Sequence, residues 1–330
     1  MRILIVTDNL RDQVNGVVTT YANIERLATK DGYEVSFVDP SMFKHISAPG
    51  YKEVKLSRVV DIGQHIEDAY PDYIHIATEG PIGLAARNYC VANDLNFTTS
   101  YHTRFPEFLW SIYKVPPFLT YRFLRWFHAP SQRILTTTET MVADLKQRGF
   151  EGDIRAWTRG VDREVLRSDR TPISKPRKTL LYVGRVSKEK DLDDLCVLSN
   201  VYDVRIVGDG PYRKTLQKRY PRVKFVGYKS GQNLADEYAM ADVFVFPSSA
   251  DTFGIVMIEA MSLGTPVAAY PAAGPIDIVE QGVTGYLHMD LCRAITEARH
   301  LDRDTVKAAA QKWSWEECWA IFKDNLVIIR

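Results

Sequence analysis

The chain has 330 residues, 45% of them hydrophobic and 25% charged, with a formal net charge of +1. That length exceeds the usual span of one hydrophobic core and implies two domains, while the balanced charge gives no footprint of a nucleic-acid binder. Four scattered cysteines form no CxxC pair or metal-ligand spacing and read as reduced thiols of a cytoplasmic protein.

The opening segment Met1–Thr7 turns polar too early for a signal peptide. No apolar run is long enough to span a bilayer, so any membrane contact is expected to be peripheral. In the first half, β-branched runs at Arg2–Thr7, Glu34–Val38, Tyr73–Ile76, Phe97–Ser100 and Arg133–Thr136 are predicted strands. Amphipathic stretches such as Val17–Lys30 and Pro81–Asn93 separate them as helices. The second half repeats the pattern with strands at Thr179–Val183, Asp203–Val207, Val223–Val226, Val243–Phe246 and Pro266–Ala269. Strands alternating with helices imply βαβ units and parallel sheets. The expected fold class is therefore α/β, with two Rossmann-like, doubly wound domains whose carboxyl-end crevices face each other across a cleft. The polar, proline-containing stretch Arg167–Lys178 reads as a linker between a domain over 1–166 and one over 179–312. A final helix over 313–330 is expected to return to the N-terminal domain.

Chemistry concentrates at strand ends. Thr7, Asp8 and Asn9 follow the first strand, and Asn15 and Gly16 open the next helix, whose N-terminus offers N–H groups to an anion; an ordinary strand-to-helix turn has the same pattern. His102 lies at the end of another strand, within the segment Ser100–Glu107. It suits proton chemistry near neutral pH, or equally a structural hydrogen bond. Gly184, Arg185, Lys188 and Lys190 follow the first strand of the second half, a glycine and spaced cations suited to a pyrophosphate. Gly208–Pro211 and the pair Gly227 and Tyr228 mark two more strand ends. The most specific motif runs from Pro247 to Pro266. Asp251, Thr252, Phe253 and Gly254 lead into a helix that carries Glu259, a carboxylate able to accept two hydrogen bonds from a ribose diol.

This order of motifs, ending in Trp313–Glu316, resembles family 4 of the retaining glycosyltransferases, which have the GT-B fold. The pair is usually Glu-x7-Glu in that family; here Asp251 takes the first position. The Asp-Thr-Phe-Gly version, with the runs Ala77–Gly83 and Thr99–Pro106, looks like the branch containing sulfoquinovosyl and glucuronosyl diacylglycerol synthases and some mannosyltransferases. The resemblance implies that the N-terminal domain binds the acceptor and the C-terminal one a nucleotide-sugar donor, with UDP preferred. It further implies that Gly16 backs the donor phosphates and that His102 contacts the donor sugar. Arg185 and Lys190 neutralise the diphosphate, Asp251 with the neighbouring N–H groups holds the sugar, and Glu259 holds the ribose. No cofactor or metal is expected, because two cations can stabilise the leaving group. Nucleotide-sugar epimerases share the architecture but need carboxylates that the first half does not offer. A non-catalytic nucleotide-sugar binder is a third reading.

An aromatic stretch follows His102. Phe105, Phe108, Trp110, Ile112, Tyr113 and Phe118 are interleaved with Arg104, Lys114, Arg122 and Arg125, and Leu119, Phe123, Trp126 and Phe127 share one helical face. Aromatics flanked by cations suit an anionic membrane surface and a lipid or glycolipid acceptor. The same residues are also suited to a core or to a soluble-acceptor pocket.

Overall fold

Strands buried on both faces must be apolar throughout, and they are: Ile3, Leu4, Ile5 and Val6 are all buried. A computed structural model describes residues 1–48, 51–173, 175–249 and 251–330; of residues 48, 51–54, 108, 111 and 112 it describes the backbone alone. The predicted roles of Phe108 and Ile112 thus concern side chains outside the described residues, as do Ser174 of the expected linker and Ala250 of the Pro247–Pro266 motif.

The chain divides into two units, one of residues 1–159 with 315–330 and one of residues 160–314. Unit 1 runs β1 (Arg2–Val6), α1 (Gly16–Lys30), β2 (Glu34–Val38), the hairpin β3 (Lys44–Ala48) and β4 (Tyr51–Arg58), and α2 (Ile62–Asp68). It continues through β5 (Tyr73–Ile76), α3 (Pro81–Ala92), β6 (Thr98–Tyr101), α4 (Phe105–Tyr113), α5 (Pro117–His128), β7 (Arg133–Thr136), α6 (Glu139–Gln147) and β8 (Ile154–Ala156). Its main sheet has the order β2-β1-β5-β6-β7-β8 and is parallel.

Unit 2 holds β9 (Thr179–Val183), α7 (Leu192–Cys196), β10 (Asp203–Val207), α8 (Arg213–Arg219), β11 (Lys224–Gly227), α9 (Gly231–Met240) and β12 (Val243–Phe246). It ends with α10 (Ile255–Ser262), β13 (Val267–Ala269), α11 (Pro275–Ile278), β14 (Gly285–Leu287), α12 (Leu291–Ala298) and α13 (Arg303–Ala309). Its sheet is parallel in the order β11-β10-β9-β12-β13-β14. Each sheet changes direction once, between β1 and β5 in unit 1 and between β9 and β12 in unit 2. In open parallel sheets the crevice for ligands opens beyond the strand ends at that switch point.

The last helix, α14 (Trp315–Asp324), packs in unit 1. Trp319 Nε1 donates to Asp31 Oδ2 at 2.7 Å, and Trp157 Nε1 donates to the Cys318 carbonyl at 2.8 Å. The unit boundary falls at Arg159/Gly160, ahead of the polar stretch from which the sequence places a linker. That stretch is fastened along unit 2: Ser168 donates to Asp236 at 2.6 Å and Lys175 to Asp203 at 3.0 Å.

Candidate active site

The switch point of unit 2 gathers the strongest sequence motifs. Gly184 and Arg185 leave the end of β9, and Lys190 follows on the same connection. Asp251 to Gly254 leave β12 and lead into α10. Lys190 Nζ lies 2.6 Å from Asp251 Oδ1, so two residues 61 apart in sequence are joined where a ligand is expected. Burial opposes the charged form of Asp251, but the Lys190 ammonium outweighs it and holds the carboxyl below its ordinary range. The other oxygen, Asp251 Oδ2, is buried without a hydrogen-bond partner among the described residues. An acceptor-only oxygen left so is suited to a ligand hydroxyl.

Gly254 caps α10 with φ +91°; a Cβ there would lie 2.8 Å from Met257 Cε and 2.9 Å from Phe246 Cζ. Only glycine fits that left-handed, crowded position, which aims the first turn of α10 and its N–H groups. Thr252 and Phe253 are buried, with Phe253 packed edge-on against Trp313. The Phe253 side chain thus serves the packing, which leaves its backbone to face a ligand. Glu259 Oε2 accepts from Tyr238 Oη at 2.7 Å, and burial raises the Glu259 carboxyl. Arg185 carries its guanidinium on the loop of Lys190, and its carbonyl accepts from Tyr182 Oη at 3.0 Å. Gly227 ends β11, two strands from the switch point, and Tyr228 follows it; Gly208 N donates to the Gly227 carbonyl at 2.8 Å, and Tyr228 is exposed. Asp193 accepts from Tyr212 and Tyr220 and pairs with Arg219, and Asp194 accepts from Tyr270.

In unit 1, Gly16 begins α1, but the N–H groups offered there are fewer than the sequence suggests. Asn15 Oδ1 accepts from Val17 N at 3.0 Å and from Val18 N at 2.9 Å, capping the helix itself. Asp8, at the end of β1, reaches the start of α3. It accepts from Thr78 Oγ1 at 2.8 Å and Ile82 N at 2.8 Å, and burial raises its carboxyl to about 6. A Cβ on Gly80 would lie 2.4 Å from Asp8 Cγ, so glycine there permits the close approach of the two loops at this switch point.

His102 has both ring nitrogens engaged. Arg159 Nη2 donates to Nδ1 at 2.9 Å, and Nε2 lies 2.9 Å from Tyr21 Oη. A guanidinium only donates, so Nδ1 is the acceptor and Nε2 carries the proton. Burial first, then the charge of Arg159, holds the imidazole neutral far below its ordinary pKa. Tyr21 Oη also lies 2.8 Å from His75 Nε2, and His75 Nδ1 lies 2.7 Å from Thr98 Oγ1. Burial depresses His75 to about 3. Tyr21 sits on the buried face of α1 and Arg159 in a loop; neither carries a motif, so sequence reasoning missed both.

These histidines have a consequence for stability. The unfolded chain protonates them near 6.5, whereas the folded chain keeps them neutral. Their contribution is therefore present above that pH and is lost as pH falls below it. Asp8 has the opposite sign, adding stability as pH falls from about 6 towards the ordinary carboxyl value, but it is one group against two. The urea midpoint is expected to be lower at pH 5.5 than at pH 7.5, and an equal or higher midpoint at pH 5.5 contradicts the buried neutral pair.

The aromatic stretch is split between core and surface. Phe127 and Leu124 are buried and Phe123 packs against the core, so the helical face assigned from sequence to a membrane is partly interior. Arg104 pairs with Asp144, and Arg125 donates to the Arg148 carbonyl at 3.0 Å, so both cations face the protein. Trp110, Phe118, Leu119 and Trp126 are exposed, Phe118 at 68%, and Lys114 and Arg122 stand exposed beside them.

Two family models match the chain, Glycosyltransferase Family 4 over residues 14–165 and Glycosyl transferases group 1 over residues 166–290. The sulfoquinovosyl transferase of Arabidopsis thaliana is 32% identical over 306 residues, with 81% of this chain and 59% of that protein covered. A GDP-mannose-dependent alpha-mannosyltransferase of Corynebacterium glutamicum is 29% identical over 87% of this chain and 76% of its own length. The alpha-monoglucosyldiacylglycerol synthase of Streptococcus pneumoniae is 25% identical over 90% and 78%. Among solved structures, sucrose-phosphate synthase of Thermosynechococcus elongatus superposes with a TM-score of 0.78 at 18% identity, covering 98% of this chain and 97% of that one. Anabaena HepE in complex with UDP-glucose gives 0.71 at 16%, covering 98% of both chains. With the two models matched in tandem along residues 14–290 and two parallel Rossmann-like sheets, the chain belongs to family 4 of the glycosyltransferases and has the GT-B fold.

Proposed function

We propose that the protein transfers a hexose or hexuronosyl unit, with retention of configuration and without a metal ion, from a nucleotide diphosphate sugar to a hydroxyl of a membrane lipid. The observation that carries the donor half is the Lys190–Asp251 pair at the switch point of unit 2, with Asp251 Oδ2 left for a sugar hydroxyl. Arg185 and Lys190 supply positive charge for the diphosphate, and Glu259 supplies a carboxylate for the ribose. Uracil is the preferred base, in line with the UDP-glucose bound by HepE. Guanine is the second reading, favoured by the GDP-mannose-dependent relative. Calorimetric titration with UDP and GDP decides between them, and binding of neither removes the donor site from unit 2.

Ribose contacts act alike in ground and transition states, so Glu259→Ala is expected to raise the donor KM more than it lowers kcat. Unchanged donor affinity in a direct titration takes the ribose away from Glu259.

The acceptor half rests on α4 and α5. No helix among the described residues is long and apolar enough to cross a membrane. The exposed Trp110, Phe118 and Trp126 beside Lys114 and Arg122 suit the headgroup boundary of an anionic bilayer, which supports a peripheral position on the cytoplasmic face. The name of the pneumococcal relative, a diacylglycerol glycoside synthase, agrees with a lipid acceptor. Sedimentation with anionic liposomes is expected to be salt-sensitive and to be lost on changing Lys114 and Arg122 together to Glu. Wild type that stays in the supernatant, yet glycosylates a water-soluble sugar efficiently, contradicts the membrane reading.

A further inference from the structure

Arg159 is a cation in the interior of unit 1. It is 3% exposed, and an arginine so deeply buried ordinarily has a carboxylate partner. None pairs with it among the described residues. Its Nη1 donates to the Trp157 carbonyl at 2.6 Å and the Thr158 carbonyl at 2.7 Å, and its Nη2 donates to His102 Nδ1 at 2.9 Å. Its guanidinium carbon lies 4.3 Å from the centre of the Trp157 ring. The charge is thus held by neutral acceptors and one aromatic face, a costly arrangement kept beside the histidine proposed for the site.

His102 opens a chain of hydrogen bonds that runs into the sheet. Its Nε2 lies 2.9 Å from Tyr21 Oη, which lies 2.8 Å from His75 Nε2 and 3.1 Å from Ser100 Oγ. His75 Nε2 is also 2.8 Å from Ser100 Oγ, and its Nδ1 is 2.7 Å from Thr98 Oγ1. Tyr21 comes from α1, His75 from β5, and Thr98 and Ser100 from β6, all buried. Hydroxyls and imidazoles both donate and accept, so the chain by itself can run in either direction, with the His102 proton on either nitrogen. The guanidinium can only donate. With Nδ1 taken as acceptor, His102 donates from Nε2 to Tyr21 Oη, and the tyrosine proton passes on to His75 or Ser100. We propose that Arg159 is a positioning residue for transfer: it sets the direction of this chain and holds His102 in one place as the neutral Nε2–H imidazole. The proposal rests on the transferase reading above and gives a task to a histidine with both nitrogens engaged. Positive charge grows on the sugar as its bond to the diphosphate breaks; an imidazolium nearby opposes it, and a fixed neutral ring does not. Around His102 stand Tyr21 of α1, His75 of β5 and Arg159 of the loop after β8, with Cys318 of α14 facing Arg159 and Tyr21, and Glu79 acting on Tyr21 from further off. Burial keeps the tyrosine and the thiol protonated and His75 neutral, so of these groups only Arg159 is a charge that touches the ring.

The test reads the imidazole directly, by nitrogen NMR of the full chain labelled at histidine, with the His102 signal assigned by its loss in His102→Ala. In wild type that signal is expected at the shifts of a neutral Nε2–H ring throughout pH 5.5 to 8. In Arg159→Met the ring is expected to populate both neutral tautomers and to titrate at higher pH than in wild type, because the neighbouring charge is gone. Arg159→Lys keeps the charge and a donor and is expected to restore the wild-type signal. Should Arg159→Met not fold, Tyr21→Phe carries the test: a chain directed from Arg159 keeps the His102 tautomer without the tyrosine hydroxyl, and one directed from Tyr21 loses it. In transfer from UDP-glucose to diacylglycerol in anionic vesicles, Arg159→Met is expected to lower kcat about a hundredfold, as a displaced ring does, with the donor KM unchanged. Arg159→Lys is expected to recover part of that loss. Added to His102→Ala, Arg159→Met is expected to cost little more, because it acts through that ring. A cationic or Nδ1–H His102 in wild type, an unchanged His102 signal in Arg159→Met, or a full further loss on top of His102→Ala overturns the proposal. If wild type transfers no sugar, the transferase reading fails, and the spectra still decide whether Arg159 sets the state of His102.

Discussion

Lys190→Ala is expected to lower kcat by about a hundredfold, corresponding to roughly 3 kcal/mol of lost transition-state stabilisation, by analogy with removal of an oxyanion donor. Negative charge grows on the diphosphate as the glycosidic bond breaks, so a cation beside it acts mainly in the transition state. Lys190 has a second task. Its ammonium lies 2.6 Å from Asp251 and keeps that buried carboxyl ionised. Without it, Asp251 either stays charged beside an anionic donor or takes up a proton and changes the hydrogen bonds it can make. Arg185→Ala removes charge without disturbing that pair, so its effect is expected to be large but smaller than that of Lys190→Ala. The pairing also predicts non-additivity: adding Asp251→Ala to Lys190→Ala is expected to cost less than Asp251→Ala does alone. With Arg185 and Lys190 proposed to meet the leaving group in place of a metal, incubation with EDTA is expected to leave the rate unchanged, and a strict requirement for added divalent metal contradicts this arrangement.

His102→Ala is expected to remove most transfer, on the order of a hundredfold in kcat, while nucleoside diphosphate binding stays near wild type. The nucleotide groups proposed here belong to unit 2, whereas His102 belongs to unit 1 and is held there by Arg159 and Tyr21. Misplacing a reacting group by about 1 Å can cost that much. The geometry sets the form of the effect. His102 is neutral with both ring nitrogens engaged, so its proposed role is one of position and not of proton transfer, and the pH–rate profile of wild type is expected to show no inflection near 6.5 from this residue. Removing the imidazole also leaves the Arg159 guanidinium without that acceptor in the interior, so stability falls as well, by about 1–3 kcal/mol. A urea titration of the same variant separates the two losses. Wild-type turnover in a folded His102→Ala protein removes the residue from the reaction.

The strands with long β-branched runs were legible because a doubly covered strand needs apolar residues at every position. β1 and β9 lie within one residue of their predicted bounds. The edge strands β8 and β14 were not legible, since three residues such as Ile154, Arg155 and Ala156 carry no period. The β3–β4 hairpin was hidden by the lysines of its strands, although the sequence carries the turn dipeptide Pro49-Gly50 between them. In the donor motif, sequence could name Lys190, Asp251 and Glu259 from residue type and strand ends, but not that Lys190 and Asp251 touch or that Tyr238 holds Glu259. Those facts depend on the order β9-β12 in the sheet. Phe127 shows the limit of periodicity: an amphipathic stripe gives the apolar side of a helix but does not say whether protein or lipid covers it, and for α5 the protein covers half.

Nucleoside diphosphate release from UDP-glucose, measured with EDTA present and with and without vesicles carrying lipid acceptor, separates transfer from donor hydrolysis and epimerisation. A retaining lipid glycosyltransferase is expected to give release that depends on acceptor, yields a glycosylated lipid of unchanged anomeric configuration and falls about a hundredfold in Lys190→Ala. Equal release without acceptor, or conversion of the donor sugar with no transfer product, contradicts it.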